Sequence, residues 1–204
     1  MKTVCVVLAS GTGARFGGRQ PKQFVRIAGK MIIEHTLAAC DCGLFDRIVL
    51  VVSAPYVEKM RKAVARDGFR TPVDVVVGGA SRKESCKLGV AAIADREVRV
   101  VIHNGVQPFV TKACFARCLQ ALGRHSAVTS GVPCVYTVLR VNRRGTVEEM
   151  PDRAFLYNDM GVECFRLSLL RKLFAAYDDD VSTDIIGMVF RSGLAKVFVA
   201  EGEV

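Results

Sequence analysis

The residues best suited to chemistry lie near the start of the chain, in the run Leu8-Ala9-Ser10-Gly11-Thr12-Gly13-Ala14-Arg15-Phe16-Gly17-Gly18-Arg19-Gln20-Pro21-Lys22-Gln23-Phe24. Small residues let backbone N–H groups come close to phosphate oxygens. Arg15 and Lys22 add fixed positive charge, which can neutralise the charge that develops on a departing pyrophosphate. Two common phosphate-loop patterns fail on spacing. In G-x-G-x-x-G the third glycine would fall where Phe16 stands, and Gly17 comes one residue too late; G-x-x-x-x-G-K-[ST] does not occur. The run follows an apolar stretch, residues 3–8, that reads as a β-strand. Ligands of open α/β sheets bind at the carboxyl ends of strands, so the position suits a nucleotide-phosphate cradle. A glycine-rich surface turn with solvated cations is the competing reading.

The elements that must position this loop alternate along the chain. β-branched runs at 3–8, 47–53, 73–77, 98–103 and 126–132 read as strands. Between them, 30–39, a stretch from Pro55, 81–93 and 111–122 have helical spacing. Pro55 suits a first helical turn. Ser81 can cap its helix, with Glu84 at capping-box spacing. The stripe Phe115, Cys118, Leu119 and Leu122 marks a core-facing side. The pattern predicts an α/β three-layer sandwich with a mostly parallel, Rossmann-like sheet. After Pro133 the alternation breaks. Residues 135–141 and 146–150 flank the turn Asn142-Arg143-Arg144-Gly145 and read as a projecting β-hairpin arm, 134–152, of a kind that pairs with a second subunit. Helices at 167–177 and 183–191 and a strand at 195–199 follow. The expectation is one domain over 1–204, forming a homodimer through the arm.

Composition narrows the function classes. Of 204 residues, half are hydrophobic and about a quarter charged, as in soluble globular proteins. No apolar run reaches the ~20 residues that span a bilayer, and the start reads as a strand rather than a signal peptide. Most of the eight cysteines sit inside apolar patterns and read as reduced, buried small hydrophobes, which places the chain in the cytosol. Cys114 and Cys118 lie one helical turn apart, but a zinc site lacks two further ligands at suitable spacing. The net charge of +9 suits phosphorylated small molecules. No aromatic-interleaved basic stripe or nucleic-acid module appears, so a polyanion-binding role is the remote reading.

The pattern Leu-Ala-Ser-Gly-x-Gly-x-Arg-Phe, followed by Pro21-Lys22-Gln23-Phe24, resembles the sugar-phosphate nucleotidyltransferases. More narrowly, it resembles the cytidylyltransferases that make CDP-methylerythritol in isoprenoid synthesis and CDP-ribitol in teichoic-acid or capsule synthesis. Further matches run along nearly the whole chain: Gly29…Ile33-Glu34-His35-Thr36-Leu37, Gly78-Gly79-Ala80-Ser81-Arg82…Ser85, Val101-Ile102-His103…Pro108-Phe109-Val110-Thr111, Pro133…Thr137 and Asp152-Arg153…Leu156. The resemblance implies that CTP and a polyol phosphate give a CDP-polyol and pyrophosphate, with Mg²⁺ on the phosphates. It implies that Ala9, Ser10, Gly11, Gly13, Arg15 and Lys22 hold the triphosphate, Arg15 and Lys22 as the main stabilisers. Gly79 and Ser85 would contact cytosine, Asn104 would stand at the ribose and metal position, and Thr137 and Arg153 would reach the polyol phosphate. Each also has an ordinary reading: Gly79 as a turn glycine, Ser85 as a solvated helix residue, Thr137 as strand composition, Arg153 as an exposed charge. His35 reads as a buried, hydrogen-bonded residue and His103 as structural.

The chain departs from the family's pattern at several of its working positions. The motif His-Asp-Ala-x-Arg-Pro is His103-Asn104-Gly105-Val106-Gln107-Pro108 here, so a carboxylate and a guanidinium are replaced by amides, which carry no charge to hold a metal. Tyr136 stands where an Asp is expected before the arm threonine. Gly161-Val162-Glu163 replaces Thr-Pro-Gln, and Glu201-Gly202-Glu203-Val204 stands where the pattern leads on to an Asn-Ile-Lys segment whose Lys helps bind phosphates. Two readings stay open. One is an active enzyme with an altered acceptor or metal arrangement, in which Asp184 or Asp159 supplies the carboxylate. The other is a catalytically weak homologue that binds nucleotide or a partner in a scaffold or regulatory role.

Overall fold

A computed structural model describes residues 1–11, 20–177 and 184–202. Lys2–Ala9 forms β1. Arg26–Ile27 (β2) and Lys30–Met31 (β3) make a hairpin, closed by Ala28 and Gly29 with φ of 49° and 81°, the two left-handed residues of a type I′ turn. Then come α1 (Ile32–Cys40), β4 (Arg47–Val52), α2 (Val57–Asp67), β5 (Val73–Val77), α3 (Arg82–Ala91), β6 (Val98–Asn104), α4 (Lys112–Ala121) and β7 (Ala127–Pro133). The chain continues through β8 (Arg140–Val141), β9 (Val147–Glu149), β10 (Tyr157–Arg166), α5 (Leu167–Ala176), α6 (Ile185–Ser192) and β11 (Val197–Glu201).

Seven strands form one sheet in the order β11-β7-β10-β6-β1-β4-β5. All neighbours pair in parallel except β10, which runs antiparallel to both β6 and β7. Helices cover both faces, as the alternation predicts. Along β1, Cys5, Val7 and Ala9 face the layer of α1, α2 and α4, while Val4, Val6 and Leu8 face the layer of α3 and α5. A strand covered on both sides must be apolar at every position, which is why this segment shows no polar alternation. Each valine so buried contributes about 1.5–3 kcal/mol. Two helix starts are capped by side chains, Ser81 as its pattern indicates. Ser81 Oγ accepts the Glu84 N–H at 3.0 Å, and Thr111 Oγ1 accepts the Cys114 N–H at 3.2 Å. The Glu84 carboxylate reaches one residue further back than in a capping box and accepts from Ala80 N–H at 2.7 Å.

The sequence reading departs from the structure at three places. No strand is legible in residues 151–166, yet β10 is ten residues long and sits inside the sheet. Asn158, Asp159, Gly161 and Glu163 interrupt its apolar run, and a register shift between Asp159 and Glu163 absorbs the irregularity. In the arm, only Arg140–Val141 and Val147–Glu149 pair; residues 135–139, Thr137 among them, lie outside any strand. The arm's turn forms as expected, with Gly145 at φ 81° and its N–H donating to Asn142 O at 3.0 Å. His35 is part-exposed rather than buried, bonded to Ile27 O at 2.8 Å. Six of the eight cysteines are buried, as their patterns predict. No helix among the described residues is long and apolar enough to cross a membrane.

Candidate active site

The carboxyl ends of β1, β4 and β6 converge where the glycine-rich loop begins. Ala9 is buried at the end of β1, Ser10 is half-buried and Gly11 exposed. Gly13 and Arg15 lie outside the described residues. The loop's far end returns at a 3-10 turn, Lys22–Phe24. There Gln23, only 2% exposed, donates from Nε2 to Ala9 O at 2.8 Å and to Gly11 O at 2.9 Å. One buried amide therefore clamps both ends of the loop. Its neighbour Lys22 stays exposed and free to reach a ligand.

Across from this root stands the segment between β5 and α3. Ser85, fully buried on the first turns of α3, places Oγ 2.7 Å from Ser10 Oγ and accepts the Gly79 N–H at 3.1 Å. A hydroxyl that both donates and accepts suits a position between two loops. Gly78 makes this approach feasible: a Cβ there would lie 2.7 Å from Ser10 Cβ and 2.9 Å from Ser85 Oγ. Ala9, Ser10, Gly11, Gly79, Ser85 and Lys22 are thus brought together. Thr137 and Arg153 are not part of this cluster. Thr137 is exposed, and Arg153 opens a short 3-10 turn from which Nη1 donates to Val135 O at 3.1 Å, tying down the base of the arm.

β6 completes the site. Asn104 pairs with Leu8 in the sheet register, and Gly105 N–H donates to Leu8 O at 2.8 Å. Asn104 Nδ2 donates to Gln107 Oε1 at 3.0 Å. Arg82 donates from Nη2 to Glu163 Oε1 at 2.7 Å and to Asn104 Oδ1 at 3.4 Å. Burial pushes the Glu163 carboxyl above its ordinary range, against the pull of the Arg82 guanidinium. His103, buried behind Asn104, donates from Nε2 to Gln107 O at 3.0 Å, and desolvation lowers its pKa so that it stays neutral. These are the surroundings of a structural residue. Sequence reasoning did not select Gln23, Arg82 or Glu163 as site residues. The first two stand inside the matched motifs, which was the available signal; Glu163 showed only as a departure.

Among the described residues, the carboxylates near this site already have partners within the protein. Asn104 is neutral, and Glu163 is committed to Arg82. Asp184 caps α6 by accepting the Gly187 N–H at 2.6 Å, and Asp159 Oδ1 accepts from Thr129 Oγ1 at 2.5 Å. Among the described residues no group of three or more His, Cys, Asp or Glu side chains converges. Asp184 and Asp159, the two carboxylates that could replace the missing one, thus each have a partner within the fold. The described residues offer two loop ends joined by Gln23, an exposed lysine, hydroxyls and amide donors, groups of the kind that suit phosphates.

The model of the family IspD: 2-C-methyl-D-erythritol 4-phosphate cytidylyltransferase matches residues 3–203. The chain is 32% identical over 204 residues to the 2-C-methyl-D-erythritol 4-phosphate cytidylyltransferase of Thermosipho melanesiensis, covering 98% of this chain and 88% of that one. It is 29% identical over 180 residues to a bifunctional ribulose 5-phosphate reductase/CDP-ribitol pyrophosphorylase of Haemophilus influenzae, covering 86% of this chain and 38% of that protein. The structure superposes on the crystal structure of 4-diphosphocytidyl-2C-methyl-D-erythritol synthase from Anaerococcus prevotii with a TM-score of 0.86 at 22% identity, covering 99% and 90% of the two chains. The chain accordingly belongs to the 2-C-methyl-D-erythritol 4-phosphate cytidylyltransferase family.

Proposed function

We propose that this chain transfers CMP from CTP to a polyol phosphate, 2-C-methyl-D-erythritol 4-phosphate before ribitol 5-phosphate, and releases pyrophosphate. The observation that carries this reading is the 2.7 Å approach of Ser10 to Ser85, which joins the phosphate loop to the Gly79 segment at the carboxyl ends of β1 and β5. An oxygen of the acceptor's phosphate attacks the α-phosphorus of CTP. The new P–O bond forms as the bond to the bridging oxygen of the β-phosphate breaks, and pyrophosphate carries the electron pair away. No protein nucleophile is needed, so catalysis is positioning plus charge neutralisation. Ala9, Ser10, Gly11 and Gly13 present backbone and hydroxyl donors, and Arg15 and Lys22 neutralise the leaving pyrophosphate. Gly79 and Ser85 face the base. Mg²⁺ enters in this reading on the nucleotide's own phosphates, as part of the substrate.

The acceptor side rests on Thr137 and Arg153 at the base of the arm. The whole chain acts as one nucleotidyltransferase domain, and residues 134–152 serve as a dimerisation arm. Exposed apolar side chains there, Val135, Tyr136, Met150 and the adjoining Phe155, support a second copy as the partner. Buried free thiols support a cytosolic setting. The test is pyrophosphate release from CTP and Mg²⁺ with methylerythritol phosphate or ribitol phosphate. Lys22→Ala should lower the rate about 10²–10³-fold. The second reading, a nucleotide-binding homologue without turnover, is favoured by the neutral amides at 104 and 107. CTP binding with no pyrophosphate released from any polyol phosphate would establish it in place of the first.

A further inference from the structure

Asn104 and Gln107 are distant in sequence from Gly161 and Glu163 on β10, yet Arg82 links Glu163 to Asn104, and Gly161 lies against Asn104 and Gln107. Glu163 is 1% exposed on β10, and its Oε1 takes the hydrogen bond of Arg82 Nη2. The same nitrogen approaches Asn104 Oδ1. A guanidinium only donates, so it takes the carbonyl side of the Asn104 amide. Asn104 Nδ2 is then the donor to Gln107 Oε1, and the relay runs in one direction: Arg82 to Asn104 to Gln107. Gly161 makes room for it. With φ at 76° it adopts a conformation that favours glycine, and a Cβ there would lie 2.7 Å from Gln107 Oε1 and 3.0 Å from Asn104 Nδ2.

We infer that these residues form one coupled unit, in which Glu163 and Arg82 are positioning residues that turn the N–H donors of Asn104 and Gln107 to face acceptor oxygens of the bound nucleotide. The carboxylate absent from β6 is present on the antiparallel strand beside it, where Arg82 holds it. Because the relay begins at a guanidinium, its open end is a set of amide N–H groups. Such groups recognise ribose or phosphate oxygens and do not coordinate a cation. Residues 104, 107, 161 and 163 are therefore parts of one arrangement. Loss of a buried ion-pair partner leaves the other charge unpaired, so substitution of either partner alone is unfavourable.

The inference rests on the nucleotide-binding part of the proposed function. Its test is a double-mutant cycle on the full chain, with Glu163→Gln, Asn104→Asp and the double variant, read by calorimetric titration with CTP and by thermal unfolding. Each single variant should weaken CTP binding about tenfold: the first frees Arg82, and the second sets two carboxylates on one guanidinium and removes the donor to Gln107. The double variant returns a single carboxylate to Arg82 but still lacks the donor to Gln107, so it should recover Tm and bind CTP no more weakly than the Asn104→Asp single. Unchanged binding in the singles, or a double variant as weak as the product of the two, would overturn the inference. If a single variant is too unstable to titrate, recovery of Tm in the double supports the coupling and failure to recover overturns it. A purely structural role would shift Tm and leave CTP affinity unmoved well below the transition. Neither readout needs turnover, so absence of pyrophosphate release would sink the proposed reaction and leave this result standing.

Discussion

Ser10 Oγ and Ser85 Oγ lie 2.7 Å apart, although the two residues are separated by 75 positions in the chain. This contact joins the strand end that opens the phosphate loop to the helix that follows β5. Ser85 also takes the N–H of Gly79. Its replacement by alanine leaves a buried donor without its acceptor, which costs about 1–3 kcal/mol. Ser85→Ala should therefore lower Tm and weaken CTP binding together. Unchanged CTP affinity by calorimetry would show that the contact has no part in the site.

Gln23 is the clamp on the other side of the loop. Its hydrogen bond to Ala9 O is buried, and the one to Gly11 O is partly so. Gln23→Ala should destabilise the chain by about 1–3 kcal/mol in urea unfolding, because the buried Ala9 carbonyl loses its partner out of reach of water. The KM for CTP should rise more than kcat falls, since the clamp shapes the loop and touches no reacting atom. A kcat loss with KM unchanged would contradict this.

Gly78 has no room for a side chain. A methyl group would meet Ser10 Cβ, Ser85 Oγ and Val51 Cγ1 at 2.7, 2.9 and 3.0 Å. Gly78→Ala should cost about 1–3 kcal/mol of stability through overpacking and force Ser10 and Ser85 apart. Adding Ser85→Ala to it should recover part of the lost Tm by removing one of the clashing atoms. Strict additivity of the two losses would rule out the shared contact as the cause.

His103 gives the chain a defined response to acid. Desolvation lowers its pKa from 6.5 in the folded state. Below pH 6.5 an unfolded histidine binds a proton that the buried one resists, so stability is fully present above that pH and is lost progressively as pH falls toward the folded value. Chemical denaturation at pH 7.5, 6.5 and 5.5 should show that decline, and His103→Gln should flatten it. An equal decline in both proteins would assign the effect to other groups.

The sequence by itself determined the layered α/β plan, because each of its signals is local. Apolar runs such as 3–8 read as strands, Ser81 announces the helix it caps, and the glycine-rich run follows the carboxyl end of β1. Tertiary structure alone decided the rest. β10 is legible only once Arg82 is seen to neutralise Glu163; along the chain its polar residues read as a loop. The arm keeps its turn, which Asn142 and Gly145 specify locally, yet pairs over far fewer residues than its composition indicates. The Ser10–Ser85 contact, the Gln23 clamp and the Arg82–Asn104–Gln107 relay have no local signature. Burial of a polar or charged group is favourable only when its partner arrives from elsewhere in the chain, and that arrival is a property of the packed fold.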